Sequence, residues 1–386
     1  MSQMSQMPNS NPERVQTFDE KITDYLSKNK VFLYILTPCY GGLCYSSFMI
    51  NLMDTIDICR KYGIGVKLEL CNGDSLISRA RNNLIAKAMA NPQTTHVLFI
   101  DNDIGWNPVE VLKLLYSDKP LIGGIYPKKA YIWNRLVDKN NGTNIVQSWI
   151  DKKKGNPILV NIDDERLIQC KLLDYNFNFL TDSAGKAKME IENNLGRVRH
   201  IATGFMMIKR DTLQQMMFCY PQTKYVDDVG FLKPEENDHA FALFDCEVRE
   251  NKYLSEDWLF CDRWAQIGGH IYVDITISLT HTGPVVFNGN FIASRDIVNN
   301  PPPVQAPVQI PSKSQPRMMP HQMNQAQPQP QAQPQPQFQP QPQFQPQPQF
   351  QPQPQFQPQP NPINQAVPSP TIKLLPRTNL QIEEID

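Results

Sequence analysis

No stretch of this 386-residue chain stays apolar for the roughly 20 positions a membrane helix needs, which excludes a bilayer span. Charge of one sign is also missing. Lys and Arg total 37 against 38 Asp and Glu, so the net charge is −1 and the basic face of a nucleic-acid binder is not expected. The eight cysteines include no CxxC pair and no Cys/His cluster at ligand spacing. That argues against a zinc module or a disulfide frame, and for buried thiols in a reducing compartment. The opening MSQMSQMPNSNPERVQTFDE is polar, so it lacks the apolar core of a secretory signal or an anchor. These absences predict a soluble cytoplasmic protein.

Proline, by contrast, is abundant, and it is unevenly placed. From about residue 298 Pro and Gln dominate, and a six-residue unit recurs (QPQPQA, then QPQPQF) with Phe338, Phe344, Phe350 and Phe356 in register. Dense Pro prevents helix or sheet pairing, and one aromatic per unit cannot build a core. Residues 298–386 are therefore expected to be a disordered, partly polyproline-like tail. Its last stretch, TIKLLPRTNLQIEEID, is mildly amphipathic and a candidate docking peptide for a protein partner. This divides the chain into a polar extension (1–29), a folded part (30–297) and the tail (298–386).

The folded part alternates strand and helix signals. VFLYILTP (31–38) reads as a strand stopped by Pro38. In the next segment Phe48, Leu52, Met53, Ile56 and Cys59 keep helical spacing between a Ser46 or Ser47 cap and Gly63. IGVKLELC is a second strand, and DSLISRARNNLIAKAMA a helix capped by Asp74 or Ser75. HVLFIDND is a third strand and NPVEVLKLLYS a helix with Pro108 in its first turn, followed by the strand and loop PLIGGIYPKK. Four such alternations predict an α/β fold with a parallel sheet. Residues 130–200 are less regular and are expected to lie over the sheet's edge. After them come a strand and a helix capped by Asp211, a helix from Ser255 to Gly268, and a closing strand or two.

In such sheets ligands bind beyond the carboxyl ends of the strands. HVLFIDNDIGWNP (96–108) places Asp101 and Asp103 at one of these ends. Side chains two apart on a strand share a face, so the two carboxylates are expected to converge and to need a cation or donors between them. A single Asp here would serve as a turn residue, but the DxD spacing points to a metal-diphosphate site. On a helical wheel Arg81 falls within the apolar arc of Leu76, Ile77, Ala80, Leu84, Ile85 and Ala88, opposite Ser78, Arg79, Asn82 and Asn83. A guanidinium in that position must meet an anion, either an internal aspartate, a ligand phosphate or both. Gly123 and Gly124 allow close backbone approach at a strand end, and Lys128 is within reach of a phosphate. Trp106 serves as a sugar platform or as packing, and Trp258 and Trp264 as core.

SRARNNLIAKAM followed by THVLFIDNDIGWNP resembles the ARN…FLDxD core of GT-A glycosyltransferases, family 2 and its relatives in particular. The resemblance continues through GGIYPKK, IATGFMMIKR and SEDWLFCDRWAQIGGHIYVD…LTHTG, in the same order, over about residues 30–290. It implies a Rossmann-like GT-A domain that moves a sugar from a nucleoside-diphosphate sugar to an acceptor hydroxyl on a glycan, protein or small molecule. By the same resemblance Asp101 and Asp103 hold Mn2+ or Mg2+ against the donor diphosphate, with His281 of THTG as a further metal ligand. Thr37 and Pro38, in the loop after the first strand, hold the nucleoside. Asp74 contacts base or ribose, and Arg81 lies near the diphosphate. In SED, Asp257 is the expected catalytic base, with Glu256 second. Ser255 followed by two acids is equally what a helix start favours. CNGDS stands where family 2 has an acidic DDGS-type turn, so the nucleoside contacts depart from the pattern. Together with the tail, the chain also resembles glycosyltransferases of large DNA viruses and phages, which would place it in a host cytoplasm or a virion. Two rival readings remain. A sugar-phosphate nucleotidyltransferase would carry a basic Gly-rich loop after its first strand, and TPCYGGLCYSS has no Lys or Arg. An inactive GT-A-shaped scaffold or virion protein would have no need of Arg81, Asp101, Asp103, Asp257 and His281 together.

Overall fold

Apolar segments that can be covered on both faces become the middle of a sheet, and five of them do so here. A computed structural model describes residues 16–136, 145–156 and 159–295. Its elements begin with α1 (Phe18–Lys28), β1 (Phe32–Cys39), α2 (Ser46–Lys61), β2 (Gly65–Asn72) and α3 (Ile77–Ala90). They continue with β3 (His96–Ile100), β4 (Ile104–Gly105), α4 (Pro108–Tyr116), β5 (Leu121–Gly124) and β6 (Pro127–Tyr131). The main sheet has eight strands in the order Glu190–Glu192, Leu195–Val198, Ile271–Asp274, β5, Phe205–Lys209, β3, β1, β2. Along β3, Val97 and Phe99 enter one hydrophobic cluster, with Leu84 and Ile85 of α3 and with Phe244 and Phe260. Leu98 and Ile100 enter the other, with Phe48 and Leu52 of α2 and with Leu112 and Leu115 of α4. The core thus lies on both faces of the sheet.

The fold is mixed α/β, and the expected parallel sheet is corrected to a mixed one. β1 runs parallel to β2 and β3, and Ile271–Asp274 runs parallel to β5. Phe205–Lys209, however, inserts antiparallel between β3 and β5. Its sequence is apolar on both faces, and such a run carries no signal of direction. Residues 190–198, expected over the edge, join the sheet as an antiparallel edge hairpin.

Local expectations also change. β1 does not stop at Pro38 but continues one residue further, with Pro38 opposite Cys71. None of the expected side-chain caps on α2, on α3 or on the helix Arg210–Cys219 forms, and these helices start from Tyr45, Leu76 and Lys209. In α2, Met53 is exposed and Thr55 takes a core position. Asn107 and Pro108 do start α4 as expected, and Gly63 ends α2 at φ +68°. Within the polar extension, Thr17 and Glu20 form a capping box for α1, and Ile22 is fully buried. Among the described residues no helix is long and apolar enough to cross a membrane. The expected tail, its Phe repeat and its docking peptide lie outside the described residues.

Candidate active site

The site is assembled at the end of β3. The strand stops at Ile100, the Asp101 N–H donates to the Gly204 carbonyl (3.0 Å), and the Ile104 N–H donates back to the Asp101 carbonyl (3.1 Å). Asp101–Asp103 is therefore a turn, and strand alternation does not bring its two carboxylates together. Instead each carboxylate has its own set of partners. Asn102 at the middle holds the loop after β1: its Nδ2 donates to the Leu43 carbonyl (2.6 Å), and its carbonyl accepts from the Tyr45 N–H (3.2 Å).

Asp103 meets His281 because β4 pairs with Thr280–Thr282. Ile104 sits opposite His281, and the Thr282 N–H donates to the Asp103 carbonyl (2.8 Å). The pairing needs Gly105, since a Cβ there would stand 2.4 Å from Thr280 Oγ1. His281 Nε2 then lies 3.5 Å from Asp103 Oδ1, while its Nδ1 is 2.8 Å from the Pro127 carbonyl. A carbonyl only accepts, so Nδ1 carries a proton and Nε2 is the nitrogen turned toward Asp103. Lys129 Nζ lies 2.6 Å from the other oxygen, Oδ2. Burial pushes the Asp103 carboxyl up, but hydrogen bonding to His281 and Lys129 more than offsets this and holds it below its ordinary value.

Asp101 turns to Arg81, whose Nη1 is 3.3 Å from its Oδ1 and whose Nε is 3.2 Å from Glu256 Oε1. Arg81 is 5% exposed, and its guanidinium lies 5.7 Å from the Phe99 ring centroid. Of the partners expected for it, the internal carboxylates of Asp101 and Glu256 are in contact with it. Burial lowers its pKa, and Asp101 and Glu256 reverse that and raise it, so it stays charged.

Asp257 is the second residue of the helix Glu256–Gln266, and here the expected cap is corrected. Ser255 makes no cap bond; its hydroxyl donates to Asp257 Oδ1, which also accepts from the Trp258 N–H (2.8 Å). Oδ2 has no hydrogen-bond partner among the described residues. Burial, with the Glu256 charge beside it, raises the Asp257 carboxyl above its ordinary value despite Ser255 and Arg81. The charges of Asp101, Arg81 and Asp257 all act on the buried Tyr126 hydroxyl. The Tyr126 ring also stands edge-on to His281, with centroids 5.1 Å apart. Tyr126 thus lies close to both carboxylate groups.

The remaining sequence candidates fall elsewhere. Asp101 is not gathered with Asp103 and His281, and among the described residues no three His, Cys, Asp or Glu side chains come together as a metal cage. Thr37 lies within β1 and not in a loop; it is fully buried, and its hydroxyl finds no partner among the described residues. The segment beyond Cys39, from Tyr40 to Ser46, is exposed, with Tyr40 and Leu43 its most exposed large apolar side chains. Asp74 receives a bidentate grip from Arg79 (2.9 and 3.0 Å) and the Leu76 N–H (2.9 Å). Lys128 points away from the site, with 3.9 Å to Asp174 as its nearest ion-pair contact. Gly123 and Gly124 do permit close approach, but to Phe205, Ile277 and Leu279 of the core. Trp106 is packing: it is buried, bonds Thr55 (2.8 Å) and meets Phe48 edge-on. Trp264 is buried as expected, while Trp258 is half-buried and stacks on His200. Sequence reasoning missed Lys129 and Tyr126. Strand alternation along PKKAY was the available signal, because it puts residues 127 and 129 on one face and residue 128 on the other.

Two features fit a divalent cation. Asp103 Oδ1 and His281 Nε2 face each other 3.5 Å apart, and both are atoms such an ion accepts as ligands. In addition, four acidic side chains, Asp101, Asp103, Glu256 and Asp257, stand against two basic ones, Arg81 and Lys129. Two protein ligands would leave most of a hard cation's coordination sphere to phosphate oxygens and water. A cavity of about 240 Å3 between Trp264, His270 and Tyr272 shares no residue with this site.

No known protein family matches the chain, and no curated protein matches it in sequence. Among solved structures it is similar to A197 from STIV, at 13% identity, 66% coverage of this chain, 86% of that one and a TM-score of 0.32. It is also similar to the 4-diphosphocytidyl-2C-methyl-D-erythritol synthase of Anaerococcus prevotii DSM 20548, at 12% identity, 62% and 100% coverage and a TM-score of 0.24. At these scores neither likeness carries an inference about activity.

Proposed function

We propose that this chain is a metal-dependent glycosyltransferase that moves a sugar from a nucleoside-diphosphate sugar to an acceptor hydroxyl. The observation that supports it best is that Asp103 and His281, which face each other, lie near the same Tyr126 as a carboxylate with one oxygen uncommitted. Asp103 Oδ1 and His281 Nε2 would hold Mn2+ or Mg2+, with Pro127 fixing the histidine tautomer as outer-sphere carbonyls do. When bound, such an ion supplies Lewis-acid neutralisation of the departing diphosphate. Asp257 Oδ2 takes the proton of the acceptor hydroxyl as its oxygen attacks the anomeric carbon. Its raised pKa makes it a better base than a solvated aspartate. Ser255 and the Trp258 N–H hold Oδ1 and so fix which oxygen works. Arg81 holds Glu256 and Asp101 in place.

The test is a hydrolysis screen over nucleoside-diphosphate sugars with Mn2+ or Mg2+ and without acceptor. Slow, metal-dependent release of a nucleoside diphosphate is expected, and it names the donor. Pyrophosphate release from a nucleoside triphosphate and a sugar phosphate, with every nucleotide sugar left intact, would replace this proposal with nucleotidyl transfer.

A further inference from the structure

Lys129 reaches Asp103 along a prepared path. Its stem runs over Gly283, where a Cβ would stand 3.1 Å from Lys129 Cδ. Lys129 and His281 approach the two oxygens of one carboxylate, and the carbonyl of Pro127, two residues before Lys129, orients His281. The Lys129 side chain is 34% exposed, against 6% for Arg81. An ammonium on a flexible four-carbon stem can swing toward a neighbouring anion, whereas the buried fork of Arg81 is held at two points. A divalent ion at Asp103 and His281 would take the carboxylate from Lys129 and leave the ammonium without that partner. An arriving diphosphate brings at least two negative charges, and of Arg81 and Lys129 only Lys129 can turn to meet them.

We propose that Lys129 serves two anions in turn: Asp103, as seen here, and the diphosphate of the donor once a divalent cation has taken Asp103. This rests on the glycosyltransferase reading above and names a residue of that site which sets metal and donor affinity in opposite directions. Removing the ammonium removes a competitor for Asp103, so Lys129→Met should bind Mn2+ alone about tenfold more tightly. It also removes a phosphate contact, so the same variant should bind UDP about tenfold more weakly at saturating Mn2+. Both affinities are measurable by calorimetry on the full chain, with no turnover required. Lys129→Arg, which keeps the charge, should stay near the parent in both, and Lys128→Met should match the parent. Unchanged Mn2+ affinity, unchanged UDP affinity, or a loss of both in Lys129→Met overturns the proposal while leaving the transferase reading in place. A parent chain that binds neither Mn2+ nor UDP overturns both.

Discussion

Asp101 and Asp103 stand two residues apart in one turn, yet they head opposite kinds of charge cluster. Asp101 shares the buried Arg81 with Glu256, and the guanidinium is fixed at two points. Asp103 faces the His281 imidazole on one side and a partly exposed lysine on the other, both on short strands. In the first cluster two carboxylates share one buried guanidinium, and removing Arg81 strands both. In the second one carboxylate meets one ammonium, and that ammonium is on a partly exposed stem that can move. The two carboxylates thus differ in their cations: Asp101 is tied through Arg81 to the helix that starts at Glu256, and Asp103 to a lysine that is partly exposed.

The largest effect should come from breaking the closed cluster. Arg81→Met leaves Asp101 and Glu256 unpaired, and loss of one partner from a buried ionic group typically costs about 3–5 kcal/mol. Urea unfolding should show a fall of that order, and a change below about 1 kcal/mol would mean the cluster is no more closed than its neighbour.

Asp257 sits beside the closed cluster without a direct bond to Arg81, so its loss should act on rate and not on fold. Asp257→Asn is expected to slow sugar transfer by about 10²–10⁴-fold. The Asn oxygen can still accept from Ser255 and Trp258, so stability should hold at neutral pH. The sign of the pH effect follows from burial. Because the folded pKa is raised above the ordinary value of about 3.9, transfer should fall as pH drops through that higher value. The acid limb should vanish in the Asn variant, and full turnover there would shift the base role to Glu256.

Breaking the open cluster should be milder for the fold. Asp103→Asn is expected to abolish Mn2+ binding in calorimetry while costing less stability than Arg81→Met. The Asp103 pKa is lowered, so its ionisation stabilises the fold above the ordinary carboxylate pKa, and that contribution is lost as pH falls through the folded value. The stability gap between parent and variant should therefore close in acid.

How much of this was legible in the sequence differs between the two clusters. Helical spacing placed Arg81 among core residues, and only a carboxylate or a phosphate could follow from that. It did not show that α3 is buried on nearly all sides, because the segment that covers Ser78, Asn82 and Asn83 is distant in sequence and irregular. Asn82, for instance, exchanges two hydrogen bonds with the backbone of Phe244 (2.7 and 2.9 Å). The open cluster rests on strands of two to five residues, too short for any periodicity to register. His281 was found through a motif, and Lys129 lost to its neighbour Lys128 because no strand was read across PKKAY. The sheet's order escaped for a similar reason: the antiparallel strand Phe205–Lys209 is apolar on both faces.

The smallest expected effect lies outside both clusters, at Asp74. The sequence pattern offers its carboxylate to a base or ribose, whereas the structure commits Oδ1 to the Leu76 N–H and Arg79 Nη2, and Oδ2 to Arg79 Nε. The Arg79 hydrogen bonds hold the carboxyl below its ordinary value, against burial. Arg79 itself is a third exposed, so the pair is screened by water and has little of the closed cluster's weight. Asp74→Asn keeps an acceptor for the Leu76 N–H and weakens the grip of Arg79, at a cost of about 0.5–1 kcal/mol typical of one hydrogen bond. UDP affinity at saturating Mn2+ should stay at the parent's value, because both carboxylate oxygens are already committed. A roughly tenfold loss of UDP affinity with the fold intact would show that Arg79 releases the carboxylate to the nucleoside. Asp74 would then be a third anion that changes partner on binding, and the division between closed and open charge would have to be drawn at the mobility of the cation rather than at its depth.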